Sequence, residues 1–299
     1  MNPPVLTVNN LTKYYGQIRA LNNVSFNVPE GSVFGILGPN GSGKTTMLGI
    51  VMDILRATSG SFLFFGQTSS AAVRKQVGTL LETPNFYHYL SGEKNLRIAA
   101  EIKGKGVEQI PSVLKRVNLY ERRQSKFSTY SLGMKQRLAI ASSLLGDPKI
   151  LVFDEPTNGL DPVGIAEIRS LIKQLAGEGK TIIMASHLLD EVEKVCTHVA
   201  ILKQGELITS GHVDEVLVNE DIVEVSAKDI TGLENALHLL NGYLSIKIAD
   251  KQILLNYPTA TADLEKINRH CFDNGIVLTH LQLKKKSLES KFLELTNEG

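Results

Sequence analysis

The pattern of apolar and polar positions changes along the chain, and each change predicts a different layer of structure. Residues 5–36 alternate in the manner of β-strands, with turn residues between them. Residues 92–146 instead carry apolar side chains three and four positions apart, which predicts helices. Two apolar runs at residues 149–155 and 180–187 are typical of buried strands, with a helical pattern between them. This alternation predicts a doubly wound α/β core with a parallel sheet.

A domain boundary is predicted near residues 210–212, where the character of the sequence changes. The stretch after residue 213 has 14 Asp and Glu against 9 Lys and Arg. Strand patterns and a closing helix follow at residues 222–227, 244–249, 252–257 and 287–295. We therefore expect an α/β domain over residues 1–213, with an antiparallel β subdomain and a helical subdomain at about 86–146. A small α+β domain is expected over residues 214–299.

Composition argues against several classes of protein. The formal net charge of +1 is unlike that of a general nucleic-acid binder, so we expect no nucleic-acid partner. Cys196 and Cys271 are the only cysteines and lie far apart, which favours reduced cytosolic thiols over disulfides or a zinc site. The chain opens without a signal-segment pattern, and no apolar run approaches the ~20 residues of a membrane span. We expect any membrane role to come from a partner.

The most informative stretch is GPNGSGKTT, residues 38–46. It fits G-x-x-x-x-G-K-[ST] and lies between a strand pattern and a helical pattern. Such a loop turns backbone amides toward phosphate oxygens, while Lys44 neutralises the γ-phosphate and Thr45 holds Mg²⁺. The sequence thus predicts a nucleoside triphosphate site with Mg²⁺. Its predicted residues are Gly38, Pro39, Asn40, Gly41, Ser42, Gly43, Lys44, Thr45 and Thr46.

Two carboxylates and a histidine follow predicted strands, at the edge where open α/β sheets bind ligands. Asp154 is expected to hold Mg²⁺ through water, and Glu155 to orient and deprotonate the attacking water. Alone, the pair fits equally well as N-capping acids before the turn at Pro156. His187 is well placed to contact the γ-phosphate, although a single histidine is more often structural. The phosphate loop favours the catalytic interpretation of all three.

A second anion-binding feature is predicted at residues 130–145, YSLGMKQRLAIASSLL. Ser131 and Gly133 stand at the start of a predicted helix, where free amides and a hydroxyl bind anions. Taken alone, simple N-capping explains them better. If the site does bind an anion, it requires either another ligand or a second copy of the chain.

Six elements in this order resemble the ATP-binding subunits of ABC transporters: Tyr15, GPNGSGKTT, YSLGM before KQR, ILVFDE, NGLD and SHLLDEVE. The resemblance covers about residues 5–212 and implies hydrolysis of ATP with Mg²⁺. It also implies a head-to-tail pair of cassettes, each phosphate loop facing the partner's signature helix. By position, it implies adenine stacking by Tyr15, a general base at Glu155, a switch histidine at His187, and roles toward the partner's ATP for Ser131, Gly133 and Asp161. Tyr14 competes with Tyr15, which is favoured because Gly16 follows it.

Three departures from the family pattern stand out. Glu82 replaces the usual lid glutamine, and we expect its carboxylate still to coordinate Mg²⁺. The signature is YSLGM rather than LSGGQ, which retains the serine and second glycine but loses the glutamine. The tail at residues 284–299 is similar to the closing helix of an accessory domain in some exporter ATPases of the multidrug and peptide-antibiotic type.

An aromatic cluster, FYHY at residues 86–89, follows the lid position. Aromatic side chains beside polar ones suit a groove that receives a partner helix. Packing of the core against the helical insert explains the cluster equally well.

These features predict a peripheral ATPase subunit at the cytoplasmic face of the cell membrane. It is expected to dimerise on ATP, with itself or a paralogue, and to drive a separate permease, with export as the expected direction. One alternative is a soluble cassette ATPase acting on the ribosome or nucleic acid, although such relatives typically carry two cassettes or long insertions. The other is a regulatory module that binds nucleotide without hydrolysing it.

Overall fold

The chain folds into two compact units, Met1–Val213 and Asp214–Gly299. The computed structural model describes residues 4–81, 84–216, 220–249, 252–258 and 261–285. Each unit contains its own cluster of buried apolar side chains.

The first unit combines nine strands with seven helices in the residues described. Its strands are β1 (Leu6–Tyr15), β2 (Ile18–Val28), β3 (Val33–Leu37), β4 (Ser59–Phe64), β5 (Val77–Leu80), β6 (Ile150–Asp154), β7 (Thr181–Ser186), β8 (His198–Lys203) and β9 (Glu206–His212). Its helices are α1 (Lys44–Val51), α2 (Ala71–Arg74), α3 (Gly92–Lys103), α4 (Ile110–Arg116), α5 (Leu132–Leu144), α6 (Pro162–Gly177) and α7 (Leu189–Val195).

A six-stranded sheet in the order β5-β6-β7-β3-β8-β9 forms the core of this unit. All its pairs are parallel except β8 with β9. Every residue of β3, β6 and β7 is buried, as expected for parallel strands covered on both faces. The predicted doubly wound α/β core is confirmed. It brings the carboxyl ends of these three strands to one edge.

A second, antiparallel sheet has the order β2-β1-β4. β1 and β2 form a hairpin whose last pair is Tyr15 with Ile18, so Tyr15 lies at the hairpin end. Strand β4 pairs with β1, which the local pattern did not predict. Between β5 and β6 the chain forms the predicted helical insert, α3 to α5, around buried Leu96, Leu114 and Leu138.

The second unit is a four-stranded antiparallel sheet with two amphipathic helices. A one-turn helix, α8 (Val213–Val216), precedes it. Its elements are β10 (Glu220–Ala227), α9 (Ile230–His238), β11 (Ser245–Ala249), β12 (Gln252–Pro258), α10 (Leu264–Asp273) and β13 (Leu278–Lys285). The sequence pattern predicted β10, β11 and β12 but neither β13 nor the two helices. The predicted closing helix at 287–295 lies outside the described residues.

None of the helices in the described ranges is long and apolar enough to cross a bilayer.

Candidate nucleotide-binding site

The phosphate loop connects buried β3 to α1, and two of its glycines are required by the surrounding backbone. Gly43 has φ +102°, and a Cβ there would lie 2.5 Å from the carbonyl oxygen of Ala20. A Cβ on Gly38 would lie 2.4 Å from the carbonyl oxygen of Leu202. Any larger residue would push the loop away from its neighbours, because real Cβ contacts are not this short. The glycine spacing therefore sets the loop's path.

Lys44 is buried, and its ammonium is turned back into the loop. Nζ donates hydrogen bonds to the carbonyl oxygens of Gly38, at 2.8 Å, and Pro39, at 3.2 Å. Burial lowers the pKa of Lys44, an effect that the negative charges of Glu155 and Asp154 oppose. An anion entering the loop would bring further negative charge to this buried ammonium.

Asp154 and Glu155 lie at the carboxyl end of β6, beside Lys44. The Asp154 side chain is buried, and Oε1 of Glu155 lies 3.9 Å from Nζ of Lys44. The Glu155 backbone N–H donates to the carbonyl oxygen of Ala185 at 3.0 Å. Glu155 has φ +49°, a left-handed conformation that costs a non-glycine residue about 1 kcal/mol. The bond to the neighbouring strand fixes this unfavourable backbone and hence the direction of the carboxylate.

His187 follows β7 and meets the Glu155 carboxylate directly. Its Nδ1 lies 2.8 Å from Oε2 of Glu155. The buried Ser186 hydroxyl accepts a hydrogen bond from the Leu188 backbone N–H at 3.0 Å, which closes the turn that carries His187. Ser186 was not predicted as a site residue. A serine at the end of the predicted strand at 180–187, where its hydroxyl can bind a nearby backbone amide, was the available signal.

The residues of the loop fit a triphosphate with Mg²⁺. Ser42 Oγ is buried and has no hydrogen-bond partner among the residues that the structure describes. The Thr45 side chain is exposed in the first turn of α1, where backbone amides are free to meet an anion. The loop therefore offers a phosphate or Mg²⁺ the Lys44 ammonium and the hydroxyls of Ser42 and Thr45. Glu82, the predicted lid ligand of Mg²⁺, lies outside the described residues.

Two tyrosines at the end of the β1–β2 hairpin are candidates for the predicted stacking on adenine. Tyr14 and Tyr15 are 43% and 45% exposed, so accessibility does not separate them. Nζ of Lys13 lies 4.9 Å from the centroid of the Tyr15 ring, and Gly16 beyond it has φ +59°. Successive side chains of a strand point to opposite faces, so only one of the pair can face a given ligand.

Ser131 and Asp161 both cap helices, and their segments touch. Ser131 Oγ accepts from the Met134 N–H at 3.3 Å, and Asp161 Oδ1 accepts from the Gly164 N–H at 3.0 Å. Both side chains are exposed. A Cβ on Gly159 would lie 3.1 Å from Leu132 Cδ2, so the loop before Asp161 packs against the start of α5. Ser131 and Asp161 therefore do cap their helices, and both side chains remain exposed to a ligand.

Two side chains of the aromatic cluster at residues 86–89 pack inside the chain, and the other two are exposed. The ring centroids of Phe86 and His88 lie 5.3 and 5.5 Å from that of Phe127, so these two side chains pack the helical insert. Tyr87 and Tyr89 are 52% and 69% exposed. A cavity of about 690 Å³ opens beside them, lined by Ile54, Leu80, Phe86, Tyr87, Ile98 and Ile102, among others. We call this cavity the aromatic groove.

The sequence matches a known family over the phosphate loop and the two carboxylates that follow β6. Residues 21–158 match the family described as ABC transporter. The chain is 39% identical to the uncharacterised ABC transporter ATP-binding protein YhcH of Bacillus subtilis, covering 98% of this chain and 96% of that protein. It is 34% identical to the bacitracin transport ATP-binding protein BcrA of Enterococcus faecalis, covering 99% and 97%.

A solved structure matches the first unit in shape. The ATP-binding cassette MJ0796, a dimer in a post-hydrolysis state bound to ADP and Pi, superimposes with a TM-score of 0.62. It is 27% identical, and the match covers 70% of this chain and 99% of that one.

Proposed function

Because the chain belongs to the ATP-binding subunits of ABC transporters, we propose that it acts as one half of a cassette dimer at a separate membrane permease. Its substrate is ATP with Mg²⁺, and its reaction is ATP hydrolysis. The observation that carries the assignment to particular residues is the convergence of Lys44, Glu155 and His187 at the carboxyl edge of β3, β6 and β7.

We assign the general base to Glu155. Its side chain is partly exposed, at 21%, so water can reach it, and its Oε1 lies 3.9 Å from the Lys44 ammonium. His187 lies at hydrogen-bond distance from Oε2 and orients the carboxylate while its other ring nitrogen stays available for the γ-phosphate. Bound Mg²⁺ would neutralise phosphate charge. Of its proposed ligands, Thr45 and Asp154 lie among the residues that the structure describes.

The dimer contacts are proposed for the exposed surface formed by Ser131, Gly133 and Asp161. The MJ0796 cassette is a dimer, and its chain is matched over almost its full length. In our proposal, Ser131 Oγ and the free amides of α5 bind the γ-phosphate held by the other subunit. The structure of one chain fits a homodimer and a pair with a paralogue equally.

The permease is proposed to dock in the aromatic groove. The groove is concave, mostly apolar, and lined by exposed Tyr87, which suits an amphipathic helix of a membrane protein. Docking there would hold the chain at the cytoplasmic face of the membrane. The name of BcrA describes bacitracin transport, so we propose a peptide antibiotic as the class of substrate and export as the direction.

Replacing Glu155 with Gln tests the assignment of the base. The amide keeps the shape of the side chain but cannot accept the proton of water, so we expect ATP turnover to fall by at least about 100-fold. ATP binding is expected to persist and to trap an ATP-bound dimer, measured by size-exclusion chromatography with light scattering. The matched control is Glu108→Gln, an exposed acid on the helical insert, which should leave turnover unchanged. Wild-type turnover in Glu155→Gln would refute the assignment.

A further inference from the structure

Four basic side chains surround a small cavity at the foot of the helical insert. The cavity has a volume of about 240 Å³, and Arg74, Lys75, Lys103 and Lys105 line it together with apolar residues, without any carboxylate. We call it the basic pocket. Such a concentration of one charge raises the local potential and favours an anionic group.

The acids nearest to the basic pocket are already engaged. Asp53 Oδ2 pairs with Arg74 Nη1 at 2.6 Å. Asp147, which feels the charge of Lys105, pairs with Lys180 at 2.7 Å. Within the described ranges, none of the three lysines of the pocket forms an ion pair with a carboxylate of the chain. The charge of the lysines is therefore left for an external partner.

Two of the lysines are held in place by backbone carbonyls. Lys103 Nζ donates to the carbonyl oxygen of Ser142 at 2.6 Å, and Lys105 Nζ donates to that of Gly146 at 2.9 Å. The pKa of Lys103 is lowered to about 8, mainly because the ammonium is shielded from water and to a smaller extent because Lys105 is also positive. The ammonium groups are thus positioned in advance, with their charge solvated only by neutral groups.

The basic pocket adjoins the aromatic groove, because Ile102 lines both. Ile102 is 81% exposed and Ile54, on the groove, is 66% exposed. Apolar and aromatic surface therefore continues directly into a cluster of cations. One bound segment with apolar residues and a neighbouring acid would complement both surfaces.

We propose that the permease segment in the aromatic groove carries an acidic side chain that binds in the basic pocket. This rests on the proposed docking of a permease in that groove. A flat membrane surface fits less well, because the exposed apolar side chains lead into a concavity that a bilayer cannot enter. Lys75 and Lys105 supply the accessible charges, while half-buried Lys103 is held by a carbonyl oxygen near the end of α5.

The test uses the tagged full-length chain, purified with its partners from native membranes. Wild type is compared with the double variant Lys75→Gln/Lys105→Gln, and Lys173→Gln, an exposed lysine on α6, serves as the control. A carbodiimide, which joins a lysine amine to a carboxylate without a spacer, is applied to each complex, and cross-linked peptides are identified by mass spectrometry. ATP turnover of the free chain verifies folding and should be equal in all three.

We expect wild type and control to give cross-links from Lys75 or Lys105 to an Asp or Glu of one integral membrane protein. The double variant should retain about tenfold less of that protein at moderate salt, since each partly exposed pair contributes a few-fold. If the double variant retains as much of the membrane protein as wild type does, the proposed role of the basic pocket is wrong, while docking in the aromatic groove still stands. Absence of any membrane protein with wild type would overturn docking itself. Lysine-dependent binding to phosphatidylglycerol vesicles, without a protein cross-link, would assign the pocket to lipid instead.

Discussion

At the scale of single residues, Glu155 shows how the fold holds a reactive group. Three elements meet at it: α1 supplies the Lys44 ammonium, β7 the Ala185 carbonyl, and the turn after β7 the His187 imidazole. Its left-handed backbone is unfavourable alone and is maintained by these contacts. The proposed base is therefore positioned before any ligand arrives, which reduces the reorganisation needed during the reaction.

Ser186→Ala should weaken this arrangement without touching the nucleotide. The substitution removes the acceptor of the Leu188 N–H and frees the turn that carries His187, at a cost of about 1 kcal/mol. We expect kcat to fall several-fold while the affinity for ATP stays the same, measured by steady-state kinetics and by titration with fluorescent nucleotide. Ser112→Ala, which removes an exposed hydroxyl of α4, is the control. Equal losses in affinity and turnover would contradict a positioning role.

Gly43→Ala should abolish nucleotide binding while leaving the second unit folded. The new methyl group would meet the Ala20 carbonyl oxygen at 2.5 Å in a backbone with φ +102°, so the loop must move. Titration with labelled ATP measures the loss, and circular dichroism monitors the fold. Gly177→Ala is the matched control: its Cβ would meet nothing within 4 Å, and alanine favours the end of α6. ATP affinity unchanged in Gly43→Ala would contradict the loop assignment.

At the scale of elements, prediction succeeded where the signal is local. Continuous apolar runs identified β3, β6 and β7, and the glycine loop identified the start of α1, because each pattern lies within about ten residues. Strand β4 was missed, since its pairing with β1 depends on residues about 50 positions away. Likewise, Glu155 and His187 directly follow two different strands and are 32 positions apart, so the sequence indicated the edge where they lie but not the hydrogen bond between them.

The end of helix α5 lies against the half-buried ammonium of Lys103, which makes the stability of the chain depend on pH. Lys103 donates to the last carbonyls of α5, and its pKa falls from 10.5 to about 8 in the folded chain. Between these values the unfolded chain binds more protons, so the contribution of Lys103 to stability rises with pH. The cost of burying the charge is complete below about pH 8 and is relieved toward pH 10.5.

Comparing wild type with Lys103→Met isolates this contribution. Urea unfolding at pH 7 and pH 9.5 should give a wild-type-minus-variant difference in the free energy of unfolding that increases with pH. Groups shared by both proteins cancel in the difference. The exposed substitution Lys173→Met should give a difference independent of pH, and the same flat result for Lys103→Met would show that its pKa is ordinary.

At the scale of the whole molecule, the two units have separate cores. Phe34, Met47 and Ile183 belong to one cluster, and Val225 and Leu255 to the other. The residues proposed to bind the nucleotide come entirely from the first unit. Stability and ATP binding should therefore respond differently to substitutions in the second.

Leu255→Ala is expected to destabilise the second unit by about 2–5 kcal/mol, because it leaves a cavity at a fully buried position. Calorimetry should show a lower melting temperature for one transition, while the affinity for ATP stays at the wild-type value. Leu254→Ala, on the neighbouring and less buried position, should shift that transition less. Loss of ATP binding in Leu255→Ala would indicate that the units do not act separately.

The packing of Gly159 against Leu132 has a consequence for timing. Only six peptide bonds separate Glu155 from Asp161, so the chain between them spans at most about 20 Å and has little slack. Its middle is fastened to the start of α5. A shift of the Glu155 backbone would therefore move Asp161, which lies on the surface proposed to face the other subunit. In the proposed dimer, this short connection would make hydrolysis at one site depend on the state of the other.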